Sequence, residues 1–119
     1  MPRLPIDDDR APLYTVGQVA TMLRVQQAFL RRLDDHDVVS PARSAGGQRR
    51  YSRVEITRVQ QVVQLVDEGL TLSAVRRLLE LERQVARLAA ERDRARAERD
   101  RALAERDALR AELRARRGR

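Results

Sequence analysis

Five arginines fall between residues 43 and 58, at Arg43, Arg49, Arg50, Arg53 and Arg58, with Glu55 the single acid among them. Two more, Arg31 and Arg32, precede them in a stretch of helical pattern. A guanidinium keeps its charge and offers a planar fork of N–H groups that fits phosphate oxygens. The chemistry this set can do is anion recognition, and nucleic acid is the anion that repeats. The plainer reading is a solvated charged face. Other chemistry is poorly supplied. The chain has no cysteine and one histidine, His36, which excludes disulfides, thiolate metal sites and cysteine nucleophiles. A lone histidine makes a poor metal site. Asp34, Asp35 and Asp37 carry no pocket signature. The expectation is a protein without catalytic residues, metal or cofactor.

The elements that must position these arginines are read from hydrophobic spacing. Residues 1–13 hold Pro2, Pro5, Pro12 and the acidic run Asp7-Asp8-Asp9, and read as a disordered arm. From Tyr14 onward Val16, Val19, Ala20 and Leu23 share a helix face, with Thr15 as N-cap. After a break near Arg24-Val25, Phe29, Leu30 and Leu33 mark a second helix, so the pair forms a helix-turn-helix. Val38-Val39 and Pro41 then read as extended chain. In "RSAGGQRRYS", Gly46-Gly47 can supply the positive φ of a hairpin tip, and Ser52 with Glu55 forms a capping box that opens a third helix. Gly69 stops that helix and Thr71 caps a fourth.

From Ala90 the chain repeats every seven residues, as "AERDRAR", "AERDRAL", "AERDALR" and "AELRARR". The best seam is Leu81, Val85, Leu88, Ala95, Ala102, Leu109 and Leu113, interrupted by Arg92, Arg99 and Arg106. Firm pairing is expected over residues 78–89, through Leu78, Leu81, Val85 and Leu88, with weak or no pairing beyond.

Of the net charge of +7, most belongs to this tail: residues 71–119 hold 15 arginines against 9 acids, whereas residues 1–70 hold 10 against 9. All 25 basic residues are arginine, and only three residues are aromatic, so the core must be small and aliphatic. No apolar run reaches membrane-spanning length, and the first residues have no signal-peptide character. A soluble cytoplasmic protein with no membrane partner is expected.

Four segments in order, "YTVGQVATML", "FLRRLDDHDVVSPAR", "GGQRRYSRVEI" and "DEGLTLSAVRRLLEL", resemble the DNA-binding head of MerR-type transcription regulators over about residues 14–82. Within that family the stretch "VVSPARSAGGQRRYS" and the short tail look most like the heat-shock repressor HspR branch. The resemblance implies a mainly α fold: a winged helix-turn-helix over 14–79 with a small β-hairpin wing, then a long coiled-coil helix over 80–117. It implies double-stranded DNA as partner, a homodimer through antiparallel C-terminal helices, a near-palindromic promoter site on the bacterial nucleoid, and a repressor's role with a chaperone co-regulator. Carried onto this sequence, Gln26, Gln27, Arg31 and Arg32 would face DNA on the second helix, and Arg43, Gln48, Arg49 and Tyr51 on the wing. Thr15 would offer a helix N-terminus to a phosphate. Arg49 and Arg50 alternate faces on a strand, and the expectation assigns DNA to Arg49 and internal packing or pairing to Arg50. Tyr51 stands equally well as a core residue closing the wing. The departures from the family pattern are Arg24 for a glycine in the turn, Gln26 for a serine cap, Arg32-Leu33 for an aromatic pair, and Asp37 for a helix-ending glycine.

Two other readings fit the same residues. One is an architectural or recombination accessory DNA-binding protein without a symmetric dimer. The other is a coiled-coil interaction module whose head binds protein.

Overall fold

The structure, a computed structural model, describes residues 4–118. It contains strand β1 (Tyr14–Thr15), helix α1 (Val16–Leu23), helix α2 (Gln27–Asp35), strands β2 (Ala42–Arg43) and β3 (Arg49–Tyr51), helix α3 (Arg53–Asp67) and helix α4 (Leu72–Arg117). The strands form one antiparallel sheet in the order β1-β3-β2, with Thr15 and Ala42 on either side of Arg50. The chain divides into two compact units, one ending at Glu80 and the other beginning at Leu81.

Local chemistry sets the helix starts. The Thr15 hydroxyl accepts from the Gln18 N–H at 3.1 Å, and the Gln18 side chain accepts from the Thr15 N–H at 2.8 Å. Ser52 and Glu55 exchange the same pair of bonds at 3.1 and 2.9 Å. Thr71 accepts from the Ala74 N–H at 3.1 Å. Each cap satisfies N–H groups that a helix start leaves without partners.

Helices α1, α2 and α3 all end in the same way. Just past each helix the chain turns at a residue with positive φ, at Arg24 (56°), Asp37 (55°) and Gly69 (100°). The next N–H then reaches back five residues, from Val25 to the Ala20 carbonyl, Val38 to Leu33 and Leu70 to Leu65. This is the Schellman arrangement, in which glycine is the usual turning residue. A left-handed arginine costs roughly 1–2 kcal/mol, yet the sharp turn survives at Arg24. The turn delivers α2 to the core, where Leu30 and Leu33 are fully buried. Burying one such side chain contributes about 1.5–3 kcal/mol, which outweighs the strain.

The core of the first unit is aliphatic: Val19, Ala20, Leu30, Leu33, Val38, Val39, Ile56, Val59 and Val62, completed by Val75 and Leu79 from the first turns of α4 and by Tyr51. Residues 4–13 are the described part of the arm expected to be disordered. Pro5–Asp7 forms a 3-10 turn. Asp9 then docks on the start of α3, its carbonyl accepting from the Val54 N–H at 3.1 Å and its carboxylate from Arg53 Nη2 at 2.6 Å. The arm holds because α3 presents an open N–H and a cation at one point. Residues 1–3 of that expectation lie outside the described residues.

Candidate nucleic-acid interface

The wing is a short hairpin. Ser44 and Gln48 close its turn through Ser44 N–H to the Gln48 carbonyl at 2.7 Å, and Gly47 supplies the positive φ at 80°. The Arg43 side chain braces the same turn, its Nη1 donating to the Gly47 carbonyl at 3.2 Å.

What fixes the wing against α2 is Asp34. Its Oδ2 accepts from Arg49 Nε at 2.7 Å and from Arg43 Nη2 at 3.3 Å. The Asp34 side chain is 15% exposed and that of Arg49 20% exposed, so this pair is shielded more than a surface bridge. The Asp34 bond holds the Arg49 guanidinium even more basic than usual. One carboxylate thus ties both wing strands to the C-terminal end of the second helix. Sequence reasoning missed this role, because Asp34 lies 15 positions from Arg49. Asp34 does share the α2 flank with Arg31, three residues earlier, but nothing in the sequence shows the wing folding back onto that flank.

The clamp creates a basic groove of about 380 Å³ lined by Thr15, Arg31, Arg43, Gln48, Arg49 and Arg50, with Val16 and Gly47. Thr15 brings the start of α1 to it, Arg31 the exposed face of α2, and the rest the wing. Gln27, exposed one turn before Arg31, lies on the same flank of α2, beside Gly17. Five of the nine residues expected to meet DNA therefore converge here, and Gln27 borders them. Gln26 and Arg32 do not join them. They line a second groove, between α2 and α3, with Val25, Ala28, Phe29, Val63, Val66 and Asp67.

Two expectations change at the paired arginines and the tyrosine. Arg49 is the one paired internally, and Arg50 lines the groove as well, so the groove does not divide between them as strand alternation suggested. Tyr51 is 1% exposed and belongs to the core, where it cannot touch DNA. Its hydroxyl has no hydrogen-bond partner among the described residues, and burial pushes its pKa up to about 12, against a smaller opposing effect of Arg49.

The profile of the MerR HTH family of regulatory proteins matches residues 14–82, which covers the sheet, the first three helices and the start of the fourth. The chain belongs to the MerR family. Among curated relatives, a putative heat shock protein HspR of Streptomyces coelicolor is 42% identical over 80 residues, covering 66% of this chain and 53% of that protein. The HTH-type transcriptional regulator GlnR of Bacillus anthracis is 27% identical over 73 residues, or 61% of this chain and 57% of its own. The chain thus spans little more than half the length of these relatives. Solved MerR-family structures share the fold. One is HiNmlR, a regulator lacking the sensor domain, bound to promoter DNA (TM-score 0.55, 21% identity, 58% of this chain and 53% of that one). Another is the N-terminal part of MtaN, a multidrug transporter activator of Bacillus subtilis (TM-score 0.53, 23% identity, 81% and 98% covered). In MerR-family terms α1 and α2 are the helix-turn-helix and β2–β3 the wing.

Two variants test the roles assigned at this site. Tyr51→Phe is expected to leave DNA affinity unchanged and to raise stability by about 1 kcal/mol, because it removes a buried hydroxyl without a partner. The parent should also lose stability as pH rises from about 10 through 12. The unfolded tyrosine ionises near 10, whereas the folded one holds its proton to about 12. Denaturant melts at pH 8 and 11 should show the alkaline loss in the parent to exceed that in Tyr51→Phe. Asp34→Ala should cost about 1–3 kcal/mol of stability, since it strands a shielded guanidinium. It should weaken binding to the preferred site while leaving random-duplex affinity equal or higher, because a negative charge has gone. Paired titrations against the two duplexes check the difference.

Proposed function

We propose that this protein is a transcription regulator that binds double-stranded DNA as a homodimer. The α2 flank bearing Gln27 and Arg31 enters the major groove, and Arg43, Gln48, Arg49 and Arg50 lie on the flanking backbone with the N-terminus of α1 at Thr15. The observation that supports this most is the convergence of Thr15, Arg31, Arg43, Gln48, Arg49 and Arg50 on one groove. The reading extends to a repressor's role at a near-palindromic promoter site, in the bacterial cytoplasm and without catalysis. No described helix is long and apolar enough to cross a membrane.

Dimerisation would use Leu81, Val85 and Leu88, which are 39%, 65% and 57% exposed on α4, with the half-buried Leu78 beside them, in antiparallel pairing with a second copy. A chaperone co-regulator is the signal the HspR likeness suggests; adding DnaK should then change operator affinity, and an unchanged affinity removes it.

The deciding experiment is selection of genomic fragments by the purified protein. The reading predicts one enriched motif made of two inverted half-sites. Recovery without any enriched motif would falsify it and favour a protein-binding head.

A further inference from the structure

Helix α4 sorts its charges by side. At about 100° per residue, Arg92, Arg96, Arg99, Arg106, Arg110 and Arg117 fall on one side of the helix, with Leu103 and Leu113 between them. Every residue from 91 to 117 is exposed. Glu91, Glu98, Glu105 and Glu112 run about a third of a turn away, in company with Arg94, Arg101 and Arg116. Residues 90–117 hold ten arginines against seven acids, so the net charge is modest and its arrangement is what distinguishes this side.

The arginines of this side are not equally free. Arg92, Arg99 and Arg106 each donate Nε and Nη2 to the carboxylate of the next residue, at 2.9 to 3.2 Å. Arg96, Arg110 and Arg117 have no ion pair among the described residues. A cation near a helix C-terminus complements the macrodipole, which accounts for Arg117, but that effect is confined to the last turn. It does not reach Arg110 or Arg96, roughly 10 and 30 Å further back along the helix.

We propose that this side of α4 is a second DNA-contacting surface, on which Arg96, Arg110 and Arg117 grip the phosphate backbone of a duplex without regard to sequence. A guanidinium fork fits phosphate oxygens, and each contact releases counterions, so binding needs no buried apolar area. A protein partner would need such area at the centre of its interface, and Leu103 and Leu113, separated by Arg106 and Arg110, do not supply it. A membrane surface would need a broad apolar side opposite the arginines, whereas that side carries the glutamates. The aspartate-bonded arginines add little, since their neighbours cancel their charge. The choice of DNA as the polyanion rests on the reading of the head. The surface itself lies wholly within the unit beginning at Leu81 and needs no contact with the other.

The test uses the full chain and a random duplex. One variant carries Arg96→Gln, Arg110→Gln and Arg117→Gln. Its control carries Arg94→Gln, Arg101→Gln and Arg116→Gln, which removes the same charge from the other side. Glutamine is nearly as good a helix former as arginine, and circular dichroism should show α4 intact in both. The first variant is expected to lose affinity severalfold at low salt and to reduce the salt slope by about two to three, one phosphate contact for each arginine. The control should change the slope by less than about one. A chain without cysteine allows a second measurement that leaves the rest of the surface in place: DNA should shield Arg110→Cys from alkylation and leave Arg101→Cys reactive. Equal slope changes in the two triple variants would reduce the surface to diffuse charge and overturn the proposal. So would an unchanged slope in the first, or equal alkylation of the two cysteines on DNA. A head that binds no DNA is a separate failure: genomic selection then yields no motif, while the two triple variants still differ on the random duplex.

Discussion

Arg31→Ala is expected to lower affinity for the preferred site about 5- to 150-fold, or ~1–3 kcal/mol, and to relax one position of that site. Arg31 is exposed on α2 and lines the basic groove, and its guanidinium has no ion pair among the described residues. Its whole fork is therefore open to a base edge, unlike that of Arg49, which already spends Nε on Asp34. Arg50→Ala is the matched control. It sits at the centre of the sheet, between Thr15 and Ala42, where the backbone of a duplex would pass the wing. A phosphate contact carries no sequence information, so this change should weaken specific and random duplexes alike and reduce the salt slope by about one. Anisotropy titrations of both variants on both duplexes, at several salt concentrations, separate the roles. Equal losses on specific and random DNA for Arg31→Ala would remove its assignment to base reading.

The parts of this head that the sequence made legible are those set by near neighbours. Thr15 with Gln18, Ser52 with Glu55 and Thr71 with Ala74 are contacts three residues apart, and capping chemistry predicts such contacts from spacing alone. Gly47 and Gly69 adopt the positive φ that only their backbone makes cheap. Arg24 was the harder case, since its left-handed turn is imposed by burial of α2 rather than by its own preference. The interface itself depends on distant pairs. Alternation on β3 places Arg50 on the face opposite Arg49 and Tyr51, but does not show that an aspartate on α2 waits for Arg49, or that Tyr51 closes the core. The same limit explains Gln26 and Arg32. A helix with residues exposed on two flanks does not say which flank meets the wing until the wing is packed.

Val85→Asp together with Leu88→Asp should convert the protein to a monomer at micromolar concentration and reduce affinity for a two-half-site duplex by about 10²–10⁴, the usual gain from linking two modest binding events. Leu81, Val85 and Leu88 leave 39%, 65% and 57% of their surfaces uncovered on consecutive turns of α4. At roughly 25 cal/mol per Å², covering them against a second copy supplies the main attraction available to this helix. Beyond them the seam passes through Arg92, Arg99 and Arg106, each bonded to its neighbouring aspartate at 2.9 to 3.2 Å rather than poised for a partner. The proposed pairing would thus be concentrated in about three apolar layers, and two aspartates placed among them would leave no adequate seam. The head should fold as before, because α4 contributes to its core through Val75 and Leu79, upstream of both changes. A single half-site should accordingly be bound as well by the variant as by the parent. Sedimentation of both proteins, with titrations on one and two half-sites, isolates the dimer's share of affinity, and a parent that is already monomeric would rule out the symmetric dimer.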